Sequence, residues 1–149
     1  MKNLYMGVDP GQSGAVAVVD EDGGYAGSVR LSLTPRDIAD CVELWARLGE
    51  VKLCMLEQVH AMPRQGVVST FKFGTSFGFC MGFLTCSRIP YEMVTPHKWQ
   101  SRMRCKTKGD KNITKAAAQR LFPDVKITHA LADALLLAEY ARRYSLGIE

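Results

Sequence analysis

No stretch of about 18 apolar residues is read in this 149-residue sequence, and its N-terminus enters a strand-like pattern without a long apolar leader. A membrane span and a secretory signal are therefore not expected, and a soluble, cytosolic protein is. CxxC pairs are lacking too: Cys41, Cys54, Cys80, Cys86 and Cys105 are odd in number and scattered. That excludes the usual zinc and dithiol redox motifs and leaves reduced thiols, mostly filling core. Internal repeats and low-complexity tracts are absent. Acids are scarce in one region, where Asp110 alone stands against Lys98, Arg102, Arg104, Lys106, Lys108, Lys111, Lys115 and Arg120. The net charge of +4 is modest, but this block makes an anionic polymer the natural partner.

What is present suits one domain spanning residues 1–149, since 47% of the residues are hydrophobic. Leu4 to Val8 and Ala15 to Val19 read as strands joined by the PGQSG turn, with a third strand at Tyr25 to Leu31. Thr34-Pro35 opens a helix that Gly49 stops, with Ile38, Cys41, Val42, Trp45 and Leu48 on its inner face. A strand over Val51 to Leu56 ends at Glu57. The segment from Val67 to Cys86 is helical in pattern but carries Gly74, Gly78 and Gly82 four residues apart, so another backbone is expected to pack against that stripe. Pro90 to Val94 is a further strand, Thr95-Pro96 and Asp110 cap two more helices, and Thr128 to Tyr144 forms a last helix with Leu131, Leu135 and Ala138 inward. The pattern implies an α/β fold with one mixed, five-stranded sheet flanked by helices.

Three acids interrupt apolar patterns. Asp9 ends the first strand, Glu57 ends the fourth, and Asp133 lies early in the last helix, four residues after His129 and on its face. Each alone has an ordinary explanation: a turn cap, an exposed strand end, a buried hydrogen-bonded pair with His129. Together they form a set that repels itself unless a divalent cation with oxygen ligands joins it. Two such cations can activate water and stabilise the leaving oxygen in phosphodiester hydrolysis. Beside the basic block, the combination favours a site.

Four segments carry a resemblance: GVDPG at 7–11, CMLEQVHAMPRQG at 54–66, PYEMVTPHKWQ at 90–100 and HALADALLLAEY at 129–140. In order, and over nearly the whole chain, they resemble the RuvC-like Holliday junction resolvases, particularly the short bacteriophage forms. The resemblance implies an RNase H-like fold, a homodimer, dependence on Mg²⁺ or Mn²⁺ with two ions per active site, and symmetric paired nicks across a four-way or otherwise branched DNA junction. It implies neither a nucleotide cofactor nor a membrane, and places the protein in the cytoplasm of a bacterial or phage-infected cell. By position, Asp9, Glu57 and Asp133 match family metal ligands.

Two positions depart from the family. His129 stands where many relatives offer a further acid, and it can serve as a metal ligand, orient water as a base, or cap its helix. His60 stands where relatives tend to carry an aromatic wedge, a task open to His60, Phe71 or Phe73. Lys111 and Lys115 resemble the family's basic residues near the scissile phosphate, Lys111 being the catalytic one. Lys98, Arg104, Lys106 and Lys108, with Arg64 in the loop after the fourth strand, are expected to grip the DNA backbone. Other classes stay open: a same-fold nuclease for other branched or hybrid substrates, a junction-binding architectural protein, or an ATP-binding protein of the actin and sugar-kinase type. The last usually needs two such domains.

Overall fold

The computed structural model describes every residue from Met1 to Glu149. Three strands open the chain as an antiparallel meander: β1 (Lys2–Asp9), β2 (Ala15–Asp20) and β3 (Tyr25–Arg30). The turn after Asp9 uses Gly11 at a φ of 111°, a left-handed conformation that glycine adopts without a Cβ penalty. Helix α1 (Pro35–Leu48) starts at Thr34, whose hydroxyl oxygen accepts from the Asp37 N–H, with Pro35 in the first turn where its missing N–H is harmless. β4 (Gly49–Glu57) then pairs parallel to β1. It is followed by α2 (Val67–Cys86), β5 (Tyr91–Val94), α3 (Pro96–Arg102), α4 (Lys111–Leu121) and α5 (His129–Leu146). The sheet order is β3-β2-β1-β4-β5, a mixed five-stranded sheet flanked by helices.

Alternation along the strands divides the core into two layers. Tyr5, Ala15, Ala17, Val19 and Met55 face α5, which buries nearly every residue from Leu131 to Ala141. Leu4, Met6, Val8, Val16, Val18, Cys54 and Leu56 face the opposite layer, with Ile38, Val42 and Trp45 of α1 and Cys80, Phe83 and Leu84 of α2. At Gly7 the sheet touches α5 directly: a Cβ there would collide with the Ala134 carbonyl oxygen and the Ala138 nitrogen. β4 carries a bulge, because Leu4 pairs with Val51 while Tyr5 pairs with Leu53. Lys52 is the extra residue, and it resets the alternation of everything after it.

Two expectations need correction. Leu48, placed on the inner face of α1, is 66% exposed. The glycine stripe of α2, expected to meet another backbone, meets none within this chain, for no atom lies within 4 Å of a Cβ built on Gly74, Gly78 or Gly82, and it is left open to a second copy. And Val67–Cys86 is, by length and composition, a helix long and apolar enough to cross a membrane. Its glycines, serines and threonines interrupt the apolar run without adding charge, and Lys72 is its only charged residue. The five cysteines are free thiols; Cys54, Cys80 and Cys105 are buried, whereas Cys86 is exposed.

Candidate active site

Parallel pairing brings the first two acids together. Val8 is opposite Leu56, so Asp9 and Glu57 are the next residues on adjacent strands, and parallel neighbours in register project to the same side. That side faces α5. Gly7, two residues before Asp9, meets Ala134, Leu137 and Ala138; stepping one residue pair up β1 and about a turn back along α5 sets Asp9 toward Asp133. The bulge at Lys52 is what puts Glu57 on this face, since strict alternation from Val51 would turn it to the other.

Each carboxyl acts on the titration of another. Burial pushes the Asp9 carboxyl well above the usual carboxylate range, Glu57 and Asp133 push it further, and Lys111 opposes them. Glu57 is pushed up to about 7 by burial; the Trp99 indole N–H, donating at 2.7 Å, pulls it down, and Asp133 adds to the rise. Asp133 is raised by burial against the Thr114 hydroxyl, the Lys111 ammonium and His129. The Thr114 hydroxyl also donates to the Lys111 carbonyl at 3.1 Å. Asp133 Oδ1 is left buried with no hydrogen-bond partner.

As they stand, no three His, Cys, Asp or Glu side chains converge closely enough to hold a metal ion. None of the three acids forms an ion pair within 4 Å either. Trp99 holds one Glu57 oxygen. Even so, an orphaned buried carboxylate oxygen beside two destabilised carboxylates is the arrangement that a hard cation relieves. In chemistry, though not in their spacing here, Asp9, Glu57 and Asp133 suit a divalent cation.

Other predicted residues fall into three groups. Lys111 and His129 belong to the site, since both act on Asp133. His129 is the exposed first residue of α5, and the helix cap is Thr128, whose hydroxyl accepts from the Leu131 N–H at 3.2 Å. Lys115 is half-buried on α4, while Lys98, Arg104, Lys106 and Lys108 are exposed along α3 and the connection after it. His60 and Arg64 lie exposed in the loop after β4, and Phe71 is 76% exposed in the second turn of α2, whereas Phe73 backs the turn at Gly11. None of these outer residues is among the groups acting on the carboxylates.

Sequence reasoning missed Trp99, Thr114 and Ser76. The Ser76 oxygen accepts the Gly11 N–H at 3.0 Å, tying α2 to the turn behind Asp9. A tryptophan one turn into a short helix opened by Thr-Pro gives a faint signal, because a buried indole needs an acceptor.

No family model matches the chain, and no curated protein does. Among solved structures, RuvC of Thermus thermophilus in complex with a Holliday junction substrate superposes with a TM-score of 0.63 at 14% identity, over 99% of this chain and 97% of that one. A second structure of Thermus thermophilus RuvC gives a TM-score of 0.62 at 16% identity over the same shares. The likeness establishes the RNase H-like α/β fold.

Proposed function

We propose that this protein is a Holliday junction resolvase: a homodimeric, divalent-metal-dependent endonuclease that makes symmetric paired nicks in four-way DNA junctions. The observation that carries the reading is the register of Asp9 and Glu57 on adjacent strands facing Asp133, whose Oδ1 has no partner. The fold shared with a protein solved on a Holliday junction supports the substrate. When bound, divalent cations would lower the pKa of a coordinated water and neutralise charge on the phosphate. The chain's own part is positioning. Asp9, Glu57 and Asp133 provide oxygen ligands, Trp99 fixes the Glu57 carboxylate, and Lys111 stabilises charge developing on the phosphoryl oxygens. His129, exposed at the mouth, is placed to complete the ligand set or to accept a proton from the attacking water. The work would be done in the cytoplasm of a bacterial or phage-infected cell.

A second reading, a junction-binding architectural protein with little or no catalysis, is favoured by the unclosed ligand set and by the imidazole at His129. Labelled four-way junction and linear duplex, incubated with Mg²⁺, Mn²⁺ or EDTA and mapped on all four strands, separate the two. Metal-dependent nicks at matching positions on opposed strands support the resolvase. Tight junction binding without nicks in either metal supports the architectural protein. Asp9→Asn should abolish nicking and leave junction binding equal or tighter, since a negative charge beside the phosphate is gone; loss of both would assign Asp9 to folding.

A further inference from the structure

Outside the carboxylate site, a strongly charged concavity lies where the end of α3 meets the end of α5. It has a volume of about 460 Å³ and is lined by Ser101, Arg102, Met103, Arg104, Arg143 and Glu149. The guanidinium groups of Arg102 and Arg104 are exposed and make no ion pair or hydrogen bond within the chain. Arg143 is held in place: its Nε donates to Glu139 Oε1 at 2.7 Å, and Glu139 is buried. Glu139 also takes two hydrogen bonds from Arg142, so one carboxylate serves two arginines and the cluster stays positive. Glu149 is the one acidic side chain in the wall.

Arg104 is the telling residue. It follows the Met103 cap of α3 with a φ of 56°, the left-handed position that ends many helices and that glycine fills without strain. A cation near a helix C-terminus is favoured, but Arg102, in the last turn of α3, already supplies one on ordinary helical backbone. Arg64, Arg88 and Lys108 adopt the same left-handed conformation, so what sets Arg104 apart is its place beside Arg102 and Arg143, which puts three guanidinium groups on one concave wall.

We propose that Arg102, Arg104 and Arg143 form a second phosphate-binding subsite that grips the DNA backbone of a junction arm away from the nick. This rests on the junction-resolvase reading and extends it. Planar guanidinium groups, one of them pre-oriented by a buried carboxylate, suit the paired oxygens of a phosphodiester. The subsite's place on α5 sets its reach: Arg143 is ten residues beyond Asp133 on one continuous helix, which at 1.5 Å per residue is about 15 Å. For an arm running alongside α5, with a phosphate every 3.4 Å of axis on each strand, that is roughly four base pairs from the scissile phosphate. The subsite reads no sequence; it holds an arm so that the carboxylates meet the right strand.

The test is the double variant Arg102→Gln/Arg104→Gly, compared with the wild type for binding to four-way junctions over a range of salt. Glycine at 104 relieves the backbone, so the variant should melt no lower than the wild type, which keeps a binding loss from being a folding loss. Expected are roughly ten-fold weaker binding to a long-armed junction and a salt slope smaller by about two, one for each lost phosphate contact. On a junction with arms cut back to about four base pairs the difference between variant and wild type should shrink. Unchanged affinity and slope in the variant, or a loss equally large on short arms, would overturn the subsite while leaving the resolvase intact. A wild type that neither binds nor nicks junctions would overturn both.

Discussion

At the scale of single residues, the site is defined by carboxylates the fold holds in an unfavourable state. Glu57 titrates near 7 in the protein against 4.5 in a free chain. The folded state therefore binds that proton more tightly than the unfolded one, so Glu57 stabilises the fold most below pH 4.5 and loses that contribution as pH rises to about 7. The loss is on the order of 3 kcal/mol, and Asp9 and Asp133, also raised, act in the same direction. Melting curves in EDTA from pH 4.5 to 8 should show Glu57→Gln overtaking the wild type as pH increases, and saturating Mn²⁺ should restore the wild type at the upper end. Parallel pH profiles for the two proteins would show that Glu57 is not desolvated. For His129→Asp, nicking assayed in both metals should persist with a shift from Mn²⁺ toward Mg²⁺, because an oxygen ligand suits the harder ion. An identical metal profile would remove His129 from the ligand set.

Among the elements, α5 against β1 is the contact that builds the site. β1 can lie close to α5 because Gly7 presents no side chain to Ala134, Leu137 and Ala138. Gly7→Ala should therefore lower stability by roughly 3 kcal/mol, as forced overpacking does, and should depress nicking further by prising Asp133 from Asp9. Urea unfolding checks the first effect; an alanine tolerated within about 0.5 kcal/mol would mean that the two elements slide apart without penalty. The strand–helix pairs were legible because their signals are local: Thr34, Thr95 and Asp110 all cap the helices their spacing announced, whereas α5 is capped by Thr128 rather than His129. The bulge at Lys52 was not, since a single inserted residue leaves the composition of β4 unchanged and shows only in its pairing with β1.

For the molecule as a whole, α2 is the element whose outer face is left uncovered. Val67, Val68 and Phe71 are 86%, 68% and 76% exposed, and the glycine stripe meets open space. A four-way junction is nearly two-fold symmetric, so an isologous dimer would set two sites on equivalent strands, and a close helix pair is what unobstructed glycines permit. Gly78→Leu should raise helix stability within one chain, where nothing blocks its side chain, by roughly 0.8 kcal/mol. The same substitution should weaken dimerisation at least ten-fold by sedimentation and, with it, the pairing of nicks. A dimer that ignores the substitution would assign the interface to another face.

The sequence by itself determined the α/β class, the helix starts, and the three acids, because each is a local break in an apolar period of two or 3.6 residues. It grouped those acids with one another and with His129, but carried no information on their partners from distant segments. Trp99 reaches Glu57 across 42 residues and Ser76 reaches Gly11 across 65, and such pairings leave no trace in spacing. The glycine stripe shows the same division: its period was plain, but whether it faced the sheet or solvent depended on how α2 docks. Only the tertiary structure decided these, because side-chain direction over a sheet is set by register, and register is a property of two strands rather than one.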